Sequence, residues 1–284
     1  MKSMNGAAQP MDPREFVLSD AEFERLRALV HRSTGIALSD AKRELVYGRL
    51  SRRLRALKLA TFREYCDMVE SGHPEELEAL TNAITTNLTA FFREDHHFRQ
   101  LAGEVLPQVL AERGAARRLR IWSAGCSTGE EPYSIAMTLR GAFAQIGEWD
   151  ARILATDIDS NVLAKAARGE YSAEAAAKMP KDRLERWFKP GAGGSTFVAA
   201  QELKNLIAFK QLNLLHDWPM KGPFDAIFCR NVVIYFDKDT QRRLFDRMAD
   251  LQAPGAWLFI GHSENLFNVS SRYKLVGRTA YRRI

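Results

Sequence analysis

Strand-like and helix-like segments alternate through the second part of this 284-residue chain, and this alternation restricts the fold more than any other feature of the sequence. After Arg117, short apolar runs such as RILATDI and FDAIFCRN are separated by longer amphipathic runs such as KDTQRRLFDRMADLQ. Strands that alternate with helices predict a parallel, doubly wound sheet. Between Lys178 and Lys204 the alternation stops, and a glycine-rich run followed by a β-like run predicts a small inserted antiparallel hairpin. The C-terminal run YKLVGRTAYRRI predicts a final strand pair.

The first part of the chain has a helical pattern instead. Ser19 and Thr61 are each followed three residues later by a glutamate, which is the spacing of a capping box, and Ser39 or Asp40 is the expected cap of the helix between them. Short loops between these helices predict a small packed helical unit. The expected parts of the chain are a flexible tail at 1–16, a helical domain at 17–86, a connecting segment at 87–116, and an α/β domain at 117–284 with its insertion at about 178–210.

The composition is that of an ordinary globular protein, with 46% hydrophobic and 27% charged residues. No apolar run approaches the ~20 residues of a membrane span, so we expect no direct membrane insertion. The N-terminal residues lack the apolar stretch of a secretory signal. The three cysteines are far apart and have neither metal-site nor disulfide spacing, which favours a cytoplasmic location.

The basic character of the chain is concentrated in one segment. The net charge is +6, and the segment between positions 42 and 58 alone contains seven basic residues and one acidic residue. Its hydrophobic residues form one helical stripe that is expected to face the core. A local positive surface favours an anionic partner. The seven basic residues are Lys42, Arg43, Arg49, Arg52, Arg53, Arg55 and Lys58.

The turn after the first predicted strand, in the run IWSAGCSTGEEPYSIAM, indicates a nucleotide of an unusual kind. Gly125 and Gly129 let backbone approach a ligand closely, so Gly125 is expected to line the cofactor. A dinucleotide fold places a phosphate at the start of the next helix. Glu130 and Glu131 stand there instead, and they would repel phosphate and attract a cation. This arrangement favours S-adenosylmethionine, which has a sulfonium and an ammonium group but no phosphate.

Polar side chains follow three other predicted strands. Asp157 stands at the tip of the second strand, where a carboxylate can bind both ribose hydroxyls, and Asp159 or Ser160 is the expected cap of the helix that follows. Asn213 and Asn231 follow the next two strands of the parallel sheet. Each alone is typical of a turn, but together at one edge they indicate a binding site.

Longer motifs then establish a resemblance. The segments KRELVYGRLSRRLRAL, LTNAITTNLTAFFREDHHF, WSAGCSTGEEPYSIAM, TDIDSNVLAKA, GPFDAIFCRNVVIYFD and GHSENL resemble those of the bacterial chemotaxis-receptor glutamate O-methyltransferases of the CheR type. The resemblance runs from about residue 20 to the end of the chain. It implies an all-α N-terminal domain, a Rossmann-like methyltransferase domain with a small β-subdomain, and S-adenosylmethionine as methyl donor with S-adenosylhomocysteine as product. It also implies that glutamates in the helical bundle of chemoreceptors accept the methyl group.

The resemblance also implies roles for individual residues. The basic helix is expected to face the methylation region of the receptor through Arg49, Arg52, Arg53 and Arg55, and in some members of the family the β-subdomain binds a pentapeptide at the receptor C-terminus. The residues carried over as cofactor contacts are Asn87, Thr89, Arg93, Glu131, Asp157, Asn213, Leu214, Asn231 and Val232. Glu131 rather than Glu130 is the expected contact at the glycine turn, and Glu130 is the expected cap. Whether Glu130 or Asp159 also contacts the cofactor stays open.

The chemistry of this reaction makes a general base unnecessary. A glutamate acceptor is already ionised near pH 7, so the enzyme has only to align it with the methyl group. Arg93 and Tyr235 are the candidates for orienting the carboxylate. His96 and His97 are expected to be structural, without a metal.

Two other functions are alternatives to this one. A nucleic-acid methyltransferase would agree with the sequence pI of about 9.3, but aromatic residues are not interleaved with the basic ones as base stacking requires. A non-catalytic adaptor that binds S-adenosylmethionine and receptor is the second alternative, and the presence of both loop acids and of Arg93 disfavours it.

Overall fold

The computed structural model describes residues 15–284, which form two compact units. Within the described range, the first unit contains residues 15–33 and 38–84, and the second contains residues 34–37 and 85–284. Nearly all of the tail expected at 1–16 lies outside the described residues.

The first unit is helical. Its elements are α1 (Asp20–Thr34), a 3-10 turn (Asp40–Lys42), α2 (Arg43–Leu57), α3 (Phe62–Glu70) and α4 (Pro74–Ile84). Both predicted capping boxes are confirmed, because the backbone N–H of Glu22 donates to Ser19 Oγ at 3.3 Å and that of Glu64 donates to Thr61 Oγ1 at 3.2 Å. The predicted cap at Ser39 or Asp40 is wrong, since the intervening 3-10 turn makes Lys42 the residue that precedes α2.

Helix α2 buries one stripe of its surface. Val46, Leu50 and Leu54 are fully buried, whereas Leu57, the fourth residue of the expected stripe, is half-buried, and α2 packs against α4. Burial of aliphatic side chains contributes roughly 1.5–3 kcal/mol each. This stripe fixes the rotation of the helix and leaves its basic side chains on the remaining surface.

The second unit is built on a seven-stranded sheet. The strands of the unit are β1 (Arg118–Ala124), β2 (Asp150–Asp157), β3 (Glu170–Ser172), β4 (Phe188–Pro190), β5 (Thr196–Ala199), β6 (Ile207–Gln211), β7 (Phe224–Cys229), β8 (Gln252–Ile260), β9 (Tyr273–Gly277) and β10 (Ala280–Arg283). The large sheet has the order β6-β2-β1-β7-β8-β10-β9, and its first five strands are parallel. The predicted final strand pair is present as β9–β10, and β10 also pairs antiparallel with β8. Apolar residues of β1 and β7 on both faces are buried, as expected for a sheet covered by helices.

Helices cover the sheet, and they include the segment expected to be a connection. The helical elements are α5 (His96–Gln100), a π-helical turn (Leu101–Val105), α6 (Leu106–Arg113), α7 (Glu130–Ala142), α8 (Ser160–Arg168), α9 (Ala173–Ala176), α10 (Lys181–Trp187), α11 (Gln201–Lys204) and α12 (Lys238–Asp250), with 3-10 helices at Ala144–Glu148 and Val233–Tyr235. Phe98, Leu101 and Val109 share one hydrophobic core with Ile121 of β1. Residues 87–116 therefore belong to the body of the second unit, because their apolar face is part of its core.

The inserted antiparallel subdomain is present, with shifted limits. Its three strands have the order β3-β5-β4. The insertion was expected at about 178–210, but β3 begins at Glu170 and β6 is a parallel strand of the large sheet. The reason is that α8 ends at a left-handed Gly169 and β3 follows it directly, within the run SNVLAKAARGEY that has a helical pattern.

Residues 34–37, which are the last residue of α1 and the three that follow it, group with the second unit. The backbone N–H of Ala37 donates to the carbonyl of Tyr235 at 3.1 Å. Gly35 has a φ of +71°, and a Cβ atom at this position would lie 2.5 Å from Leu215 Cδ1. Across residues 15–284, none of the helices combines the length and hydrophobicity that a membrane span requires.

Candidate functional site

The carboxyl ends of the five parallel strands bring the predicted site residues to one edge of the sheet. The strand order β6-β2-β1-β7-β8 arranges Asn213, Asp157, Gly125, Asn231 and Gly261 in that sequence along the edge, since each stands at or just beyond the end of its strand. The chain adds β2 and β6 on one side of β1, and then adds β7 and β8 on its other side. In open α/β sheets, ligands bind at such a switch point.

The glycine turn after β1 lies directly against the turn after β7. Gly125 has a φ of +80°, and a Cβ atom there would lie only 2.4 Å from Val232 Cγ2. The N–H of Gly125 donates to the carbonyl of Thr156 at 2.8 Å, which ties the turn to the end of β2. A side chain at position 125 would therefore push apart the two turns that flank the switch point.

Asp157 is buried at the centre of this edge. Its carboxylate accepts hydrogen bonds from the backbone N–H groups of Ser127 at 2.8 Å and Asp159 at 3.0 Å. Burial raises the pKa of Asp157, and these backbone donors act in the opposite direction by stabilising the charged form. The two bonds hold the glycine turn and fix the orientation of the carboxylate.

Asp159 has a structural role, as its predicted capping position implies. Its Oδ1 accepts from the N–H groups of Asn161 and Val162, which confirms it as the cap of α8. Its Oδ2 accepts from Thr85 Oγ1 at 2.7 Å and from Asn87 Nδ2 at 2.8 Å. Four donors from the protein thus occupy this carboxylate and bring the segment around Asn87 to the edge of the sheet.

The two acids of the glycine turn have different partners. Glu130 is the first residue of α7 rather than its cap, and it accepts from Thr128 Oγ1 at 2.6 Å. Glu131 is buried and accepts from Ser123 Oγ at 2.7 Å and from Arg230 at 3.1 Å. Burial raises the pKa of Glu131, and Arg230 opposes this increase. Glu131 is therefore part of an internal network at the turn.

Arg230 joins that network to the segment containing Arg93. Its guanidinium is 3.5 Å from Glu94 Oε2, and it donates to the carbonyl of Arg93. The side chain of Arg93 donates to the carbonyl of Leu88 at 3.0 Å, whereas Glu94 pairs with Arg230 and with His262. Arg93 is half-buried. Hydrogen bonds fix both its backbone carbonyl and its guanidinium.

Three possible metal ligands lie together beside this network. Glu94, His96 and His97 each place one ligand atom within 4.8 Å of the other two. The positive guanidinium of Arg230 lies 3.5 Å from the same Glu94 carboxylate and would repel a divalent cation. Burial, together with Arg230, lowers the pKa of His97 to about 3, so this ring is neutral near pH 7. A neutral ring is also the form that binds a metal, so it is the charge of Arg230 beside Glu94 that favours a structural cluster over a metal centre.

The remaining predicted contacts lie around the same edge. Asn213 forms a turn in which its Oδ1 accepts from the N–H of Leu215 at 2.9 Å, and the neighbouring Leu214 is buried. Asn231 has a left-handed φ of 59°, and Tyr235 ends the short 3-10 helix that follows it. Thr89 is half-buried, on the segment that follows Asn87. The structure thus gathers all the predicted cofactor residues in the second unit.

The four arginines expected to contact the receptor differ in their surroundings. Arg53 forms a two-pronged ion pair with the buried Glu76, with Nε at 2.9 Å from Oε2. Arg55 pairs with Glu15 at 3.0 Å between two exposed side chains, and Arg49 donates to the carbonyl of Ala83 at 2.9 Å. Arg52, the last of the four, is exposed.

Sequence reasoning missed three residues that organise this edge. Arg230 and Glu264 are buried charges in the motifs CRN and GHSE, and Ser127 connects the glycine turn to Asp157 and, through Oγ, to the carbonyl of Asn87 at 3.0 Å. Their position next to strand ends was visible in the sequence. Their partners are distant in the chain, so the sequence alone did not indicate that they were buried and bonded.

Comparison with known proteins identifies the family of this chain. Residues 87–282 match the family description "CheR methyltransferase, SAM binding domain", and residues 21–85 match "CheR methyltransferase, all-alpha domain". The chain belongs to the CheR methyltransferase family. It is 47% identical over 273 residues to chemotaxis protein methyltransferase 2 of Pseudomonas aeruginosa, covering 94% of this chain and 95% of that one. It is also 46% identical to the chemotaxis protein methyltransferase of Escherichia coli and 45% identical to that of Salmonella typhimurium, covering 93% and 94% of this chain and 91% and 92% of theirs.

The cofactor of a CheR methyltransferase is compatible with the donor set at the edge. S-adenosylmethionine presents hydroxyl donors, which the carboxylate of Asp157 can accept, whereas both oxygens of Glu131 already accept from Ser123 and Arg230. Its adenine edge matches the side-chain amides of Asn213 and Asn231. The acids at the start of α7 would repel a phosphate, so the same edge discriminates against dinucleotides.

Proposed function

We propose that this CheR methyltransferase transfers a methyl group from S-adenosylmethionine to glutamate side chains of bacterial chemoreceptors and forms methyl esters. The observation that supports this best is the row of carboxylates and side-chain amides at the carboxyl edge of the parallel sheet, next to a glycine turn without room for a side chain. The names of the relatives given above, which are chemotaxis protein methyltransferases, agree with this substrate class.

The protein's part in the reaction is to position the reactants. S-adenosylmethionine supplies an electrophilic methyl group when it is bound. In the proposed arrangement, Asp157 binds the ribose hydroxyls and Glu131 faces the ammonium group. Asn87, Thr89, Gly125, Asn213, Leu214, Asn231 and Val232 complete the proposed cofactor contacts. Alignment of reactants at about 3–3.5 Å can lower a barrier by several kcal/mol.

Arg93 and Tyr235 are the proposed groups that orient the acceptor carboxylate. The carbonyl of Arg93 receives a hydrogen bond from Arg230 and its guanidinium is tied to Leu88, so the residue is held on the segment next to the glycine turn. Tyr235 is held at its carbonyl by Ala37. The acceptor loses its negative charge as the ester forms, so modest orientation serves it better than strong ionic stabilisation, which would favour the starting carboxylate.

The acceptor region of the receptor is proposed to meet the basic face of α2, in the cytoplasm. A receptor helix that carries methylatable glutamates is acidic, and complementary charge accelerates and orients such an encounter. The sheet β3-β5-β4 is the proposed site for a receptor C-terminal pentapeptide. Titration of labelled receptor C-terminal peptides against the full chain tests this tether, and the absence of saturable binding would remove it from the proposal.

One assay tests the reaction itself. The protein is incubated with methyl-labelled S-adenosylmethionine and chemoreceptor membranes, and the product is treated with base. Release of the label as methanol shows a carboxyl ester. Label that is stable to base, label on added nucleic acid, or no transfer despite cofactor binding would contradict the proposal, and the last two results would favour the nucleic-acid enzyme and the adaptor, respectively.

A further inference from the structure

Glu264 lies in the turn after β8 and is buried with its carboxylate directed at backbone N–H groups of two different turns. Its Oε2 accepts from Gly261 at 2.6 Å and from Asn231 at 3.0 Å. Its Oε1 accepts from Val233 at 2.9 Å and from Ile234 at 3.3 Å. One side chain therefore satisfies four backbone donors, and three of these belong to the turn after β7.

This turn needs an external support because of its conformation. Asn231 is left-handed, a conformation that asparagine adopts more readily than other residues with a Cβ atom but less readily than glycine. Gly261 lies so close beneath it that a Cβ atom would be 2.8 Å from the Asn231 backbone nitrogen. On the acceptor side, Gln241 Nε2 donates to the carbonyls of Val233 at 2.8 Å and Phe236 at 3.0 Å. Glu264 thus binds backbone N–H groups of this segment, and Gln241 binds its backbone carbonyls.

The residues held in this way are ones proposed to act in the site. Asn231 and Val232 are proposed cofactor contacts, and Val232 is also the side chain that Gly125 makes room for. Tyr235 ends the 3-10 helix whose first two N–H groups donate to Glu264 Oε1. A shift of this turn would therefore move cofactor contacts and the acceptor-orienting hydroxyl together.

We propose that Glu264 is a positioning residue for methyl transfer, which fixes the turn containing Asn231 and Val232 against the glycine turn and does not itself touch the reactants. The inference rests on the proposed function, because it assigns Glu264 a role through the proposed cofactor contacts. A purely stabilising role for Glu264 would leave the cofactor affinity of the folded protein unchanged, whereas a positioning role predicts that substitution lowers this affinity.

The test is Glu264→Gln in the full chain. The amide has nearly the same shape, but its NH2 group would face backbone N–H donors, so at least one side of the clamp is lost. We expect the dissociation constant for S-adenosylhomocysteine, measured by calorimetry, to rise roughly tenfold. The KM for S-adenosylmethionine should rise and kcat should fall in receptor methylation, because the cofactor contacts and Tyr235 are displaced together.

The matched control is Asp225→Asn. Asp225 is also a buried carboxylate on β7, where it accepts from the Arg120 N–H at 2.8 Å and pairs with Arg113 at 2.9 Å. It lies at the start of the strand, at the opposite end from the site. We expect this variant to lower the melting temperature while the S-adenosylhomocysteine affinity of the folded protein stays within about twofold of the parent. If Glu264→Gln does not fold, Glu264→Asp replaces it, since aspartate retains the charge but cannot reach both turns.

Unchanged affinity of folded Glu264→Gln would overturn the inference, and so would an equal loss of affinity in Asp225→Asn. If the parent protein itself does not bind S-adenosylhomocysteine, the proposed cofactor site fails before the role of Glu264 is reached. The two failures are therefore distinguishable in one set of titrations.

Discussion

Charges are used in opposite ways in the two units of this protein. At the carboxyl edge of the sheet, Asp157, Asp159 and Glu264 are buried, and their oxygens accept hydrogen bonds from fixed backbone or side-chain donors. On α2, the arginines differ from one to the next, because Arg53 is tied to a buried partner and Arg52 is exposed. Buried acids fix geometry, whereas exposed bases act at a distance through an electric field. A substitution at the edge of the sheet should therefore change the affinity for the cofactor. A substitution on the surface of α2 should instead change association with the substrate.

The largest effect is expected from Asp157→Ala. The change removes the proposed ribose acceptor and leaves two backbone N–H groups without their partner, so we expect the dissociation constant for S-adenosylhomocysteine to rise about 100-fold, or about 2.7 kcal/mol. The control is Asp150→Ala, an exposed acid at the other end of the same strand, which should change the affinity less than twofold. Similar affinities for the two variants would remove Asp157 from the site.

The next effect concerns stability of the helical unit. Arg53→Ala leaves the carboxylate of Glu76 buried without its ion pair, and we expect a loss of about 1–2 kcal/mol in the free energy of unfolding, after allowance for the partial exposure of the arginine. Arg55→Ala breaks only an exposed pair with Glu15 and should cost less than about 0.5 kcal/mol. Urea denaturation measures both, and equal losses would show that burial of Glu76 does not determine the cost.

A smaller effect is expected from Arg52→Glu. This exposed residue lies on α2, so reversal of its charge should lower the rate of receptor methylation about fivefold at low salt and leave S-adenosylhomocysteine affinity unchanged. The difference should shrink as ionic strength rises, since screening weakens long-range attraction. Arg63→Glu makes the same charge change on the exposed surface of α3. An equal loss in that control would mean that net charge, rather than the face of α2, is responsible.

The smallest effect is on pH dependence. Burial raises the pKa of Asp157, and only its ionised form accepts from both ribose hydroxyls. Affinity for S-adenosylhomocysteine should therefore fall as the pH is lowered from 7 into the acidic range, because protonation of Asp157 removes an acceptor for the ribose. Calorimetry across this range measures the trend, and Asp157→Asn should abolish it. A slope that persists in the variant would assign the trend to another acid.

Much of the fold could be predicted from local signals. The capping boxes at Ser19 and Thr61 and the cap at Asp159 depend on contacts within a few residues, and all three are confirmed. The alternation of strands and helices predicted the parallel sheet, because each segment's periodicity reflects the faces that it buries. The prediction of the cap of α2 was wrong because a 3-10 turn at Asp40–Lys42 separates Ser39 from the start of the helix.

The site was predictable only in part, because the sequence places residues at strand ends but does not pair them. Asp157, Asn213 and Asn231 could be assigned to one edge from the order of strands alone. The bond between Arg230 and Glu131 joins residues 99 positions apart, and the bond from Asn87 to Asp159 joins residues 72 positions apart. Such pairings depend on three-dimensional packing, which one sequence without its structure does not reveal.

The bond between Ala37 and Tyr235 has a consequence for dissecting the protein. Residues 34–37 group with the second unit, although they are the end of α1 and the loop after it, so the second unit is not a continuous piece of chain. A fragment that begins near position 85 would retain the whole sheet and still lack the donor to the Tyr235 carbonyl. Removal of the helical domain would therefore also delete a contact of Tyr235, a proposed site residue, and a loss of activity in such a fragment would not by itself measure the contribution of receptor binding.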